Sequence, residues 1–280
     1  MRKLTAAIAL FGAIGTPAFT TDAFAWGDEG HQIVCQIAFD HVKPSTKAKL
    51  LELTKLKSDD KPPFPAFATF AESCTWPDHP RKRAPEHFVN LSRDATSLTN
   101  TCGVAAECVV TAIAEDLKVL SSKTATPIDK SRSLKFVGHW VGDVHQPLHV
   151  SFEDDRGGNQ IDVSGKCSEN LHSTWDTCLV VAAVGKNLQD AADKLRKAVT
   201  KAQEQEWTQS DPKAWANESF KITESVSTQY CEKTGGTCKK HEGSVKVDQA
   251  YLDTNAPIVA ERLQKAGIRL AALLDKALGE

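Results

Sequence analysis

The sequence predicts a mainly α fold: a single all-helical domain with a small β-hairpin, stabilised by disulfides. Three observations predict it. Apolar residues recur at helical spacing over most of the 280 residues. Only Glu153 to Asn170 reads differently: Ile161 and Val163 alternate with Asp162, between Gly157-Gly158 and Gly165. The eight cysteines are even in number, follow an export-type N-terminus and contain no Cys-x-x-Cys pair that would suggest thiolate-bound zinc.

The elements follow in order. Arg2 and Lys3 precede an apolar run from Leu4 to about Ile14, and Ala23-Phe24-Ala25 closes the segment. This is the three-part pattern of a signal peptide, so residues 1–25 are expected to be removed. The remaining domain, 26–280, would start at Trp26 in a secreted or periplasmic protein. Helices are expected at His31 to His41, Val104 to Leu120, Ser133 to Leu148, Asn187 to Glu206, Pro212 to about Gln229 and Asn255 to Leu278. Lys57 to Ala68 is Pro-rich and reads as an irregular loop. No linker or internal repeat divides the chain. Short spacing favours local bridges Cys102/Cys108 and Cys231/Cys238, with Cys35/Cys74 and Cys167/Cys178 as the preferred remainder among many possible connectivities.

Composition narrows the function. The formal net charge of -2 gives no general attraction for nucleic acid. Any grip on phosphate must come from local side chains or metal ions. Beyond the N-terminus no apolar run is long enough to anchor the chain in a membrane.

Chemistry concentrates where histidines interleave with aspartates. His139 and Asp143 are one helical turn apart and share a face, as are His172 and Asp176. A neutral imidazole beside a carboxylate suits zinc. Either pair alone is an ordinary hydrogen-bonded couple. Two such pairs, with His149 beyond the Pro147 distortion, argue for metal. His145 forms an i, i+4 pair with His149 and is read as a core or supporting residue. His31, Asp78 after the rigid Trp76-Pro77, and His87 beside Phe88 complete the candidates.

These segments resemble a known family, the secreted trinuclear-zinc, single-strand-specific nucleases with 3′-nucleotidase activity of fungi and plants. The matching pieces are WGDEGH at Trp26, WPDHPR at Trp76, HFVN at His87, GHWVGDVHQPLH at Gly138, GGNQI at Gly157, NLHSTWD at Asn170 and WANES at Trp215. They occur in the family's order and span nearly the whole domain. The resemblance implies three zinc ions and nine ligand positions. Asp78, His87, His139 and Asp143 would hold part of a bridged pair. Trp26, through its free amino group and carbonyl, would join His31 and the shared Asp143 at the second ion. His149, His172 and Asp176 would take the third. Asp78 and Asp143, with Arg81 near the scissile phosphate, are then the catalytic candidates. Phe88 matches the position whose ring stacks on a base. Asn90 replaces an aspartate that some members use to read that base, and Asn159 lies near the site by analogy.

The cysteine spacing is similar to that of the plant members. The implied reaction is in-line attack by zinc-activated water on single-stranded DNA and RNA, leaving 5′-phosphates. Stacking on Phe88 favours unpaired bases. 3′-Nucleotides are implied as further substrates, and a monomer is expected. Two alternatives stand beside this one. A zinc phospholipase C shares the fold but calls for a lipid-facing apolar rim and typically a Glu at the position of Asp176. A secreted zinc-binding protein without turnover would not cleave single-stranded DNA at all.

Overall fold

The central helix of this computed structural model is the one that bears His139 and Asp143. The structure describes residues 26–279, and the expected signal peptide lies outside them. Eleven α-helices are described among them: α1 Asp28–His41, α2 Pro44–Thr54, α3 Phe70–Ser73, α4 Val109–Leu120, α5 Pro127–His145, α6 Leu171–Ser173, α7 Leu179–Val184, α8 Leu188–Ala198, α9 Lys201–Trp207, α10 Pro212–Thr223 and α11 Gln249–Leu278. Six short strands accompany them: β1 Val89–Leu91, β2 Val150–Phe152, β3 Val163–Gly165, β4 Cys231–Thr234, β5 Thr237–Lys240 and β6 Val245–Val247.

α5 starts where its sequence dictates. The Thr126 side chain accepts from Asp129 N and Pro127 occupies the first turn. From Ser133 to His145 every residue is buried, as α1, α2, α4, α10 and α11 pack around the helix. It ends at His145 because Gln146 precedes Pro147, and a residue before proline avoids helical torsions. A 3-10 turn, Pro147–His149, follows. Close approach at α5 depends on glycine. A Cβ on Gly138 would lie 2.5 Å from Cys74 Sγ, and one on Gly142 would lie 2.6 Å from His31 Nδ1.

The β structure departs from the expected place. Glu153 to Asn170 is not a hairpin. Its strand β3 pairs in parallel with β6, and the preceding β2 pairs in parallel with β1. Within the segment only an isolated antiparallel bridge pairs Asp162 with Asn170. The hairpin is β4–β5, turned at Gly235-Gly236 with positive φ at both. All four preferred disulfides form, Cys35–Cys74, Cys102–Cys108, Cys167–Cys178 and Cys231–Cys238. Among the described residues no helix is long and apolar enough to cross a membrane.

Candidate metal centre and nucleotide cavity

Seven distant side chains converge around Asp143. Asp78 ends a 3-10 turn begun by Trp76-Pro77, and His87 ends another that Pro85 helps to form. His31 comes from α1, His139 and Asp143 from α5, and His149 from the turn after it. His172 sits in α6, and Asp176 in a π-helical turn, Thr174–Cys178, that widens the spiral and re-aims the carboxylate. All eight side chains are essentially buried. Three groups offer converging donor atoms: His31, Asp78 and His139; His87, His139 and Asp143; His149, His172 and Asp176. His139 belongs to two of them. This grouping differs from the ligand set implied by resemblance, which joins His31 to Trp26 and Asp143. His31 Nε2 nonetheless lies 3.4 Å from Asp143 Oδ1, so neighbouring sites share donors.

The imidazole tautomers follow from their outer partners. A carbonyl only accepts, so a ring nitrogen bonded to one carries the proton. His139 Nδ1 donates to Cys74 O at 2.8 Å, and His87 Nε2 donates to Lys82 O at 2.8 Å. His149 Nδ1 donates to His87 O at 2.6 Å, and His172 Nδ1 to Gly157 O at 2.7 Å. Each ring is thereby oriented with a bare nitrogen toward the cluster, the arrangement that holds metal-binding histidines. His139 Nε2 and His87 Nδ1, both bare in the neutral rings, face each other 3.1 Å apart. Asp143 Oδ2 lies 3.1 Å from His87 Nδ1 and 3.3 Å from His139 Nε2.

Charge balance sharpens the picture. Burial holds His31, His139 and His149 well below the usual imidazole range, and the closeness of other imidazoles further disfavours a charge on any of them. Burial pushes His87 down to about 3 and His172 to about 4. The same desolvation raises Asp78 to about 6 and lifts Asp143 and Asp176 well above the carboxylate range. Both oxygens of Asp143, both nitrogens of His31 and His149 Nε2 are buried without a hydrogen-bond partner among the described residues. Facing lone pairs and orphaned carboxylate oxygens are unfavourable together unless a cation satisfies them. The donor set therefore fits divalent metal, with nitrogen and carboxylate ligands of the zinc type.

Trp26 is fully buried, and its indole donates to Gly142 O at 2.8 Å, one residue before Asp143. Gly27 N donates to Asp176 O at 2.9 Å, so the start of the domain is tied to both halves of the cluster. Arg81, Phe88, Asn90 and Asn159 line one cavity of about 210 Å³, together with His149 and His172. Arg81 Nε lies 3.4 Å from Asp78 Oδ1. His145 stands apart from the cluster, as read from sequence. Its Nδ1 donates to Val141 O at 2.7 Å, and Arg269 donates to its Nε2. Gln146 was given no role by the sequence, although it sits within the GHWVGDVHQPLH segment. It is buried, and its Nε2 donates to Asp176 Oδ1. An amide directly between His145 and Pro147, three residues before His149, is the available signal.

A helical frame around clustered His and Asp donors, opening on a cavity with an arginine and an aromatic ring, defines a metal-site hydrolase of phosphate esters. The chain belongs to the S1/P1 nuclease family, whose model matches residues 26–279. It is similar to Endonuclease 2 of Arabidopsis thaliana, 31% identical over 275 residues and 91% of each chain. It is also similar to Nuclease S1 of Aspergillus oryzae, 29% identical over 90% of this chain and 91% of the relative. Nuclease P1 of Penicillium citrinum is 26% identical over 62% of this chain and 65% of its own. The protein is thus a nuclease that hydrolyses phosphodiester bonds of nucleic acid.

Proposed function

We propose that this nuclease is a three-zinc, single-strand-specific endonuclease, cutting DNA and RNA to 5′-phosphate products and removing phosphate from 3′-nucleotides. The observation that carries the metal part is the pair of bare imidazole nitrogens facing each other across the Asp143 carboxylate. His87, His139, Asp78, Asp143, His31 and Trp26 would hold two ions, and His149, His172 and Asp176 a third. When bound, the ions supply Lewis acidity that activates water and neutralises phosphate charge. The protein's own groups do the rest. The Cys74, Lys82, His87 and Gly157 carbonyls fix the imidazoles, and Asp143 and Asp78 bring the negative charge that would hold the ions among them. Arg81, drawn toward Asp78, presents a guanidinium to the phosphate oxygens. Phe88 offers a half-buried ring on the cavity wall, on which an unstacked base can lie. Asn90 and Asn159 offer amides to the base and sugar edges.

Export and removal of residues 1–25 belong to the same reading, because a ligand at Trp26 requires its amino group to be free. The family match beginning at residue 26 supports this. A monomer without a membrane anchor is proposed. The experiment is cleavage of a labelled single strand and of the matching duplex, after chelation and after return of zinc. Restored cutting of the single strand, with the duplex at least tenfold slower and 5′-phosphate ends, supports the reading. Full activity after exhaustive chelation overturns it.

A further inference from the structure

We propose that Arg156 holds a second substrate phosphate, the 5′-phosphate of the nucleoside seated on Phe88. This rests on the nuclease reading above and refines it to a subsite. Every other arginine among the described residues pairs with a carboxylate, from Arg81 with Asp78 to Arg269 with Glu218. Arg156 has no carboxylate partner among the described residues, although Glu153 lines the same cavity three positions earlier. Its side chain is exposed on that cavity, where Arg81 is the other guanidinium.

The turn that carries Arg156 is built at a cost. Arg156 adopts φ 57° and ψ 45°, a left-handed conformation that is unfavourable for a residue with a Cβ. Gly157 and Gly158 follow with φ 66° and 83°. The turn is locked to the site by its carbonyls. Arg156 O accepts from Asn159 Nδ2 at 2.7 Å, and Gly157 O accepts from His172 Nδ1 at 2.7 Å. The Arg156 charge is close enough to contribute to the lowered pKa of His172.

Substrate chemistry identifies the ligand. A nucleoside whose base lies on Phe88 and whose 3′-phosphate meets Arg81 carries one more anion, its 5′-phosphate. Arg156 is the cation on the same wall left to receive it. An exposed guanidinium–phosphate contact contributes binding rather than chemistry, so it belongs in KM.

The test compares the thymidine dinucleotide with and without a 5′-phosphate, using zinc-supplied wild type, Arg156→Gln and Arg156→Lys. The 5′-phosphate is expected to lower wild-type KM by about 3- to 10-fold, with kcat little moved. In Arg156→Gln that KM ratio collapses toward one, and Arg156→Lys keeps most of it. On single-stranded poly-dT, the slope of log KM against log salt falls by about 0.7 in Arg156→Gln. Unchanged metal content and melting temperature separate loss of the subsite from damage to His172. A ratio in Arg156→Gln equal to that of wild type overturns the proposal, as does a wild type indifferent to the 5′-phosphate. Failure of wild type to cut either dinucleotide overturns the nuclease reading, and the subsite with it.

Discussion

Gly142 precedes Asp143 and leaves room for His31, whose Nδ1 lies 2.6 Å from where a Cβ would be. Gly142→Ala is expected to displace that imidazole while leaving α5 helical, since alanine favours helix. Metal analysis should show a loss of bound zinc, with kcat down at least about tenfold and an unchanged far-UV spectrum. Gln146 acts on the other side, by orienting Asp176. Gln146→Leu should weaken zinc at the His149, His172 and Asp176 group by about 10- to 100-fold, read by competition with a chelator.

Protons compete with metal at the same atoms. The Asp78 carboxyl, raised to about 6 by burial, is protonated below that pH, and a cation must displace the proton. His87 and His172, held down to about 3 and 4, stay neutral and able to bind at pH 5. Zinc affinity, read by competition with a chelator, should therefore weaken progressively as pH drops below about 6, and zinc uptake at pH 7 should release protons. An affinity that stays flat down to about pH 4 would assign the control to the imidazoles instead.

At the scale of elements, the carbonyl end of α5 sets the position of His149. α10 and α11 satisfy its leftover acceptors. Ser219 Oγ donates to Val144 O, Thr223 Oγ1 to Pro147 O at 2.5 Å, and Arg262 Nε to His145 O at 3.1 Å. Thr223→Val leaves the buried Pro147 carbonyl short of its donor and should cost about 1–3 kcal/mol in denaturant unfolding.

Elements were legible in the sequence to the extent that local signals decided them. Helical spacing marked α5, but its start lay six residues earlier, at the Thr126 cap and Pro127. The expected helix Asn187 to Glu206 is two, α8 and α9, because Thr200 caps a new start with Gln203. The expected Pro212 to Gln229 helix stops at Thr223, and a 3-10 turn, Val226–Thr228, follows. α4 begins at Val109 rather than Val104, since Cys102–Cys108 closes the preceding loop. α11 begins at Gln249, where Asp248 caps it, and tolerates Pro257 within. α2 went unread because Pro44–Thr54 exposes much of its surface and has little apolar periodicity. The hairpin was misplaced because β3 finds its partner, β6, about eighty residues away, and no local pattern reports that.

Across the whole molecule, the candidate donors were legible as types, while their convergence was not. His31 and His139 rings stack 3.8 Å apart from opposite ends of the sequence pattern, and only α1 packing on α5 brings them together. The Cys35–Cys74 bridge ties α1 to the carbonyl that orients His139. A second buried network braces α5 from behind. Glu218 receives Arg262 at 2.7 Å and Arg269 at 2.7 Å. Burial alone would raise Glu218, but the hydrogen bonds and charges of Arg269 and Arg262 outweigh it and hold it at about 2. A depressed carboxyl adds stability that is present above its unfolded value, 4.5, and is lost as pH falls toward 2. Glu218→Gln removes the charge partner of two buried guanidiniums that keep other acceptors, and because Glu218 is partly exposed it should lower stability by about 1–2 kcal/mol at pH 7, with the difference from wild type shrinking below pH 4. Thermal melts across that range check it.

The central claim is that these scattered donors trap a cluster of three zinc ions at a free Trp26 terminus. Native mass spectrometry of the exported protein tests both parts in a single spectrum. The account predicts a chain that begins at Trp26 and carries three zincs, with fewer in Asp143→Asn. An active, correctly started chain that binds no zinc, or a single ion unaffected by Asp143→Asn, would contradict it.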